Sequence, residues 1–75
     1  MSNTLLDVKG LNCPLPILRA KKAIKTLAIG AVLEVVATDP GSVTDFDAFC
    51  RQTGNELVSQ TEAGGVYTFE IKKGA

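Results

Sequence analysis

Apolar residues recur along this chain in two rhythms, one near two residues and one near 3.6, and the rhythms alternate. Thr4 to Val8 is short and β-favouring, so it predicts a strand, which Gly10 breaks. Ile17, Ala20, Ile24, Leu27 and Ala28 then fall on one helical face and predict an amphipathic helix from Pro14 to Ala28, with Leu18 widening the stripe. Gly30 acts as its C-terminal stop. Ala31 to Thr38 is a second strand. Val32, Val35 and Val36 stiffen it, and its nearly unbroken apolar run predicts an interior place in a sheet. Thr38-Asp39-Pro40 opens a second helix, with Asp39 as N-cap and Pro40 at the first position. Ser42 followed by Asp45 offers a second start resembling a capping box. The apolar face of this helix is Val43, Phe46, Phe49 and Cys50, and Gly54 closes it. Glu56 to Thr61 and Val66 to Lys72 are two further strands. Glu62-Ala63-Gly64-Gly65 joins them, and the Gly-Gly pair is a hairpin signal. In the last strand Tyr67, Phe69 and Ile71 face the core.

The element order is therefore βαβαββ. A strand–helix–strand unit predicts parallel strands joined by a right-handed crossover, while the terminal hairpin is antiparallel. The fold class follows as α/β (α+β): a two-layer sandwich with both helices packed on one face of a four-stranded mixed sheet. With 75 residues, the chain is predicted to form one domain over residues 1–75. A domain of this size buries only about 60% of its unfolded surface, and its stability should be about 4–11 kcal/mol.

Charge and composition remove several classes. Lys+Arg and Asp+Glu are both 8, so the net charge is zero. Phosphate contacts carry non-specific nucleic-acid affinity and need a basic surplus, so no direct nucleic-acid binding is expected. No run of about 18 apolar residues exists, so no membrane span is expected. Met1-Ser2-Asn3-Thr4 lacks the basic start and apolar run of a signal peptide, and a cytoplasmic location is the expectation. There the two cysteines would stay reduced. With no histidine and only two cysteines, neither a metal site nor a cofactor site is expected.

The chemistry concentrates at Asp7-Val8-Lys9-Gly10-Leu11-Asn12-Cys13-Pro14-Leu15-Pro16. Cys13 sits where the first helix starts, with Pro14 and Pro16 tolerated because the first helical N–H groups have no intrahelical partner. The thiolate is the nucleophilic form of cysteine. A helix N-terminus favours an anion, so this position is expected to pull the thiol below its ordinary pKa. Pro14 weakens the effect by leaving one N–H fewer. The absence of histidine excludes the Cys–His pairing of cysteine hydrolases, and residue 16 is proline, so no local disulfide can close as in a thioredoxin-type site. A lone thiol without a base suits exchange in which sulfur is attacked and sulfur leaves. Gly10 is expected to serve a tight turn or a positive φ. Asp7 can brace the loop by accepting backbone N–H groups, or stand as a solvated charge. Cys50 reads as a core residue. Arg19, Lys21, Lys22 and Lys25 form a cationic face, of which Arg19 and Lys22 are the candidates for docking an acidic partner.

Asp7-x-x-Gly10-x-x-Cys13-Pro14-x-Pro16 resembles the signature of the TusA/SirA-like sulfur carrier family. Thr38-Asp39-Pro40, Asp45, Phe49-Cys50 and Gly54 fall where that family's second helix would place them, so the resemblance covers nearly the whole chain. It implies a βαβαββ sandwich. It also implies a carrier that takes sulfane sulfur as a persulfide on Cys13 from a cysteine desulfurase or rhodanese and passes it to a DsrE-like protein. Such pathways lead to 2-thiouridine in tRNA, to dissimilatory sulfur oxidation or to molybdenum-cofactor synthesis. Such a protein is a sulfurtransferase that acts with partner enzymes rather than a self-sufficient enzyme. Two other functions remain open on the residues alone. One is a regulatory or RNA-binding module, since the fold class also resembles the C-terminal domain of a translation initiation factor. The other is a thiol redox sensor pairing Cys13 with Cys50.

Overall fold

The structure, a computed structural model, describes residues 3–74; Met1 and Ser2, whose sequence bears on the targeting expectation, lie outside the described residues. Its elements are β1 (Asn3–Asp7), α1 (Leu15–Lys25), β2 (Val32–Ala37), α2 (Ser42–Thr53), β3 (Glu56–Ala63) and β4 (Val66–Lys72). The four strands form one mixed sheet in the order β1-β2-β4-β3. β1 and β2 are parallel, with Asp7 opposite Val36. β2 and β4 are antiparallel, as are β3 and β4. The interior place expected for the second strand is the one it takes.

Burial alternates along β2, with Leu33, Val35 and Ala37 buried, and β4 continues the same layer with Phe69 and Ile71. Both helices cover this face. Ala20 and Ile24 of α1 and Phe46, Phe49 and Cys50 of α2 join one core cluster with the strands. The Phe46 ring ties α2 to the sheet. Its centroid lies 4.8 Å from that of Phe69 and 6.3 Å from that of Phe49, the latter pair edge-on at 85°. Such offset and edge-to-face contacts suit the ring quadrupoles. The opposite sheet face carries Leu5, Glu34, Glu70 and Ser59 in one row across the strands. Among the described residues, no helix is long and apolar enough to cross a membrane.

Four local expectations are corrected. The first helix stops at Lys25, not Ala28. Thr26 and Leu27 donate to the carbonyls three residues back, and the Thr26 hydroxyl donates to Ala23 O at 2.7 Å, which tightens the last turn and ends the helix early. Ala28 is exposed as a result. Leu18 does not widen the buried stripe; it is 53% exposed. Asp39 is not the N-cap of the second helix, which begins at Ser42 after Gly41. The Asp39 carboxylate instead accepts the Gly41 N–H at 3.2 Å and a second N–H described below. The hairpin connection is shorter than expected, because β3 runs on to Ala63 and leaves only Gly64-Gly65. Their φ angles of +59° and +82° match the turn that follows the right-handed twist of paired strands.

Candidate functional site

β1 and β2 run parallel, so the chain segments leaving their carboxyl ends emerge side by side. The segment after β1 carries Cys13; the segment after β2 carries Thr38 and Asp39. Val8, just past β1, donates its N–H to Val36 O at 2.8 Å and keeps the two segments in step. Asp7 accepts the Lys9 N–H at 3.0 Å, so it does brace the start of the loop, and the Lys9 ammonium lies 3.9 Å from the same carboxylate. Gly10 turns with φ +81°, a conformation that an L side chain adopts only with strain. Its N–H donates to Thr38 Oγ1 at 2.9 Å. Three residues on, the Cys13 N–H donates to Asp39 Oδ2 at 3.0 Å. The Cys13–Pro14 peptide is cis. Leu15 N–H then closes onto Asn12 O, and Leu18 N–H onto Pro14 O, starting α1.

This arrangement leaves Cys13 exposed and Cys50 buried. Pro14 is exposed beside the thiol, whereas Pro16 is buried and anchors the first turn of α1 in the protein. The expected lowering of the Cys13 pKa does not occur. The thiol is held above its ordinary value, chiefly because the Asp45 carboxylate acts as a hydrogen-bond acceptor for it, with some desolvation and the negative charges of Asp45 and Asp39 adding to this. The helix supplies little opposition. Pro14 and Pro16 have no N–H, and Leu15 N–H is already taken by Asn12 O, so few free donors are left to receive an anion. Cys13 is thus an accessible thiol whose surroundings favour its neutral form. Burial, with the charge of Asp47 adding, pushes the Cys50 thiol up to about 11. It is only 3% exposed, a packed core group as the apolar face of α2 predicts.

Asp7, Gly10, Cys13, Pro14 and Pro16 therefore share one continuous loop and helix start. Arg19 and Lys22 do not join it; they lie on the exposed side of α1. Among the described residues neither takes part in an ion pair. Exposed Leu15 and Leu18 share that side. Among the described residues, two surface grooves stand out. One, of about 170 Å³, lies between Lys21, Ile24, Lys25, Phe49, Thr53, Asn55 and Lys73, and the other beside Val43 and Tyr67; Cys13 lines neither. The larger falls short of the roughly 300–1,000 Å³ of a small-molecule site. Among the described residues, no three His, Cys, Asp or Glu side chains gather as a metal-ligand set. What the sequence reading missed is the part played by Thr38, Asp39 and Asp45 around Cys13. The signal was available: a polar Thr-Asp pair directly after a strand predicted to lie parallel to the one that feeds the cysteine loop.

Residues 4–73 match the family model described as Sulfurtransferase TusA. The chain is 65% identical over 68 residues to the sulfur carrier protein TusA of Allochromatium vinosum, covering 91% of this chain and 90% of that protein. It is 54% identical over 72 residues to a putative sulfur carrier protein of Neisseria meningitidis, covering 96% and 97%. A putative sulfur carrier protein of Bacillus subtilis is 47% identical over 73 residues, covering 97% of each. Among solved structures, a SirA-like protein from Desulfitobacterium hafniense superposes with a TM-score of 0.84 at 27% identity, covering 96% of this chain and 99% of that one.

Proposed function

The chain belongs to the sulfurtransferase TusA family, and from that premise we propose that it is a sulfur carrier whose Cys13 takes a sulfane sulfur as a persulfide and hands it to an acceptor protein. The observation that carries this reading is an exposed thiol that lines neither surface groove and has no histidine to pair with. A self-sufficient enzyme would need a substrate cavity around its nucleophile. A carrier does not, because its partners bring the walls of the site.

The step is sulfur-on-sulfur displacement. The Cys13 sulfur attacks the outer sulfur of a donor persulfide. The donor's S–S bond breaks as the new S–S bond on Cys13 forms. The donor cysteine leaves as a thiolate and takes up the proton that Cys13 gives away, so no oxidant or reductant enters. The same exchange in the next complex empties Cys13. The donor is a cysteine desulfurase or a rhodanese and the acceptor a DsrE-like protein, in the cytoplasm, with tRNA thiolation or sulfur oxidation downstream. The outward side of α1 supports protein docking. Leu15 and Leu18 are 44% and 53% exposed, and Arg19 and Lys22 extend the same side without an acidic residue in the helix. An apolar patch bounded by cations fits a partner surface bounded by acids.

Incubation with a cysteine desulfurase and cysteine, followed by intact-mass measurement, tests the reading. The wild type and Cys50→Ser should gain one sulfur atom, and Cys13→Ser none. Sulfur retained by Cys13→Ser would overturn the assignment.

A further inference from the structure

The β2–α2 connection does more than link two elements. Thr38 and Asp39 are consecutive, and each reaches across to the cysteine loop. Thr38 Oγ1 accepts the Gly10 N–H at 2.9 Å and Asp39 Oδ2 accepts the Cys13 N–H at 3.0 Å. The second Asp39 oxygen accepts the Gly41 N–H at 3.2 Å, directly before α2. Gly10 and Cys13 are the two ends of the turn that presents the thiol. Lacking β or α pairing of their own, these two amides have acceptors only because the neighbouring segment supplies them.

The geometry points to Thr38 and Asp39 as positioning residues for sulfur transfer: a two-point clamp that fixes the Cys13 loop against the start of α2. This rests on the sulfur-carrier reading. The two teeth differ in kind. Thr38 is neutral and acts only on the position of the loop. Asp39 acts on position and also sets a negative charge near the thiol, alongside Asp45 of α2. Rapid exchange needs the nucleophilic sulfur within reach and in line with the donor's S–S bond, and small misplacements of a reacting atom are costly. A donor that brings a cation to Asp39 and Asp45 would relieve the charge only on docking, so the clamp would favour transfer to a protein over reaction with small thiols.

The test uses the full chain with Thr38→Val, Thr38→Ser and Asp39→Asn. Amide hydrogen exchange comes first, because it reads the clamp without any sulfur chemistry. Thr38→Val should speed exchange at Gly10, and Asp39→Asn at Cys13 or Gly41, with the core amides of β2 and β4 unchanged. Transfer from a persulfidated cysteine desulfurase should then slow by roughly two- to tenfold in Thr38→Val and by about tenfold or more in Asp39→Asn, the ranges set by a neutral and a charge-assisted hydrogen bond. Thr38→Ser should restore the wild-type rate. The pH profile of Cys13 alkylation separates the teeth: unchanged in Thr38→Val, moved to lower pH in Asp39→Asn. Wild-type transfer rates in both Thr38→Val and Asp39→Asn, or unaltered exchange at Gly10 and Cys13, would overturn the clamp. Failure of the wild type itself to accept sulfur would instead overturn the carrier reading, and the exchange data would still stand.

Discussion

The sulfur of Cys13 lies between a helix start that favours its anion and two carboxylates that disfavour it, and the carboxylates win. A helix terminus stabilises a nearby charge by about 0.3–1 kcal/mol when its N–H groups are free; here two are absent as prolines and a third is bonded to Asn12. Asp45 acts without such losses, and it sits in the first turn of α2, where its own charge is welcome. Asp45→Asn should therefore lower the thiol's pKa and raise the rate of Cys13 alkylation at pH 7 severalfold, measured with iodoacetamide. It should also cost about 0.3–1 kcal/mol of stability through the lost helix-end interaction. An alkylation rate equal to or below that of the wild type would show that Asp45 does not govern the thiol.

Among the elements, β2 is the one on which the others depend. It pairs with β1 on one side and β4 on the other, its buried side carries Leu33, Val35 and Ala37, and its carboxyl end delivers Thr38 and Asp39. Its outer side holds a local cost. Glu34 stands directly opposite Glu70 on β4, and among the described residues only Glu70 has a partner there, the Ser59 hydroxyl at 3.0 Å. Like charges directly across a sheet repel, by roughly 0.2–1 kcal/mol. Glu34→Gln should therefore stabilise the protein by roughly that amount in urea unfolding at low salt, and the gain should shrink as salt screens the pair. A loss of stability at low salt would contradict this account.

At the scale of the whole molecule, one buried thiol shapes the response to pH. Cys50 titrates near 11 in the folded protein against about 9 for an ordinary cysteine. Between those values the unfolded chain loses this proton while the folded chain keeps it. The unfolded state then binds fewer protons, and stability falls as pH rises. Cys13, also raised, acts in the same direction. Below about pH 9 the Cys50 contribution is fully present. Urea midpoints of wild type and Cys50→Ala should therefore converge between about pH 9 and 11, since groups common to both proteins cancel in the difference. Midpoints that stay parallel across that range would remove Cys50 as the cause.

The rhythm of apolar residues determined the element order, the helix faces and the layer that each strand side joins, because burial of a face depends on spacing along one element, which the sequence states directly. It also determined that the Cys13 thiol sits at a helix start. The tertiary structure decided what that sulfur feels. Residue 13 is far in the chain from residues 38, 39 and 45, and only the parallel pairing of β1 with β2 sets their segments side by side. Capping rules assigned Asp39 to its own helix, whereas the pairing offered its carboxylate the Cys13 amide as well. Electrostatic effects act through space, so a pKa argument made from one helix alone omitted the two charges that outweighed it.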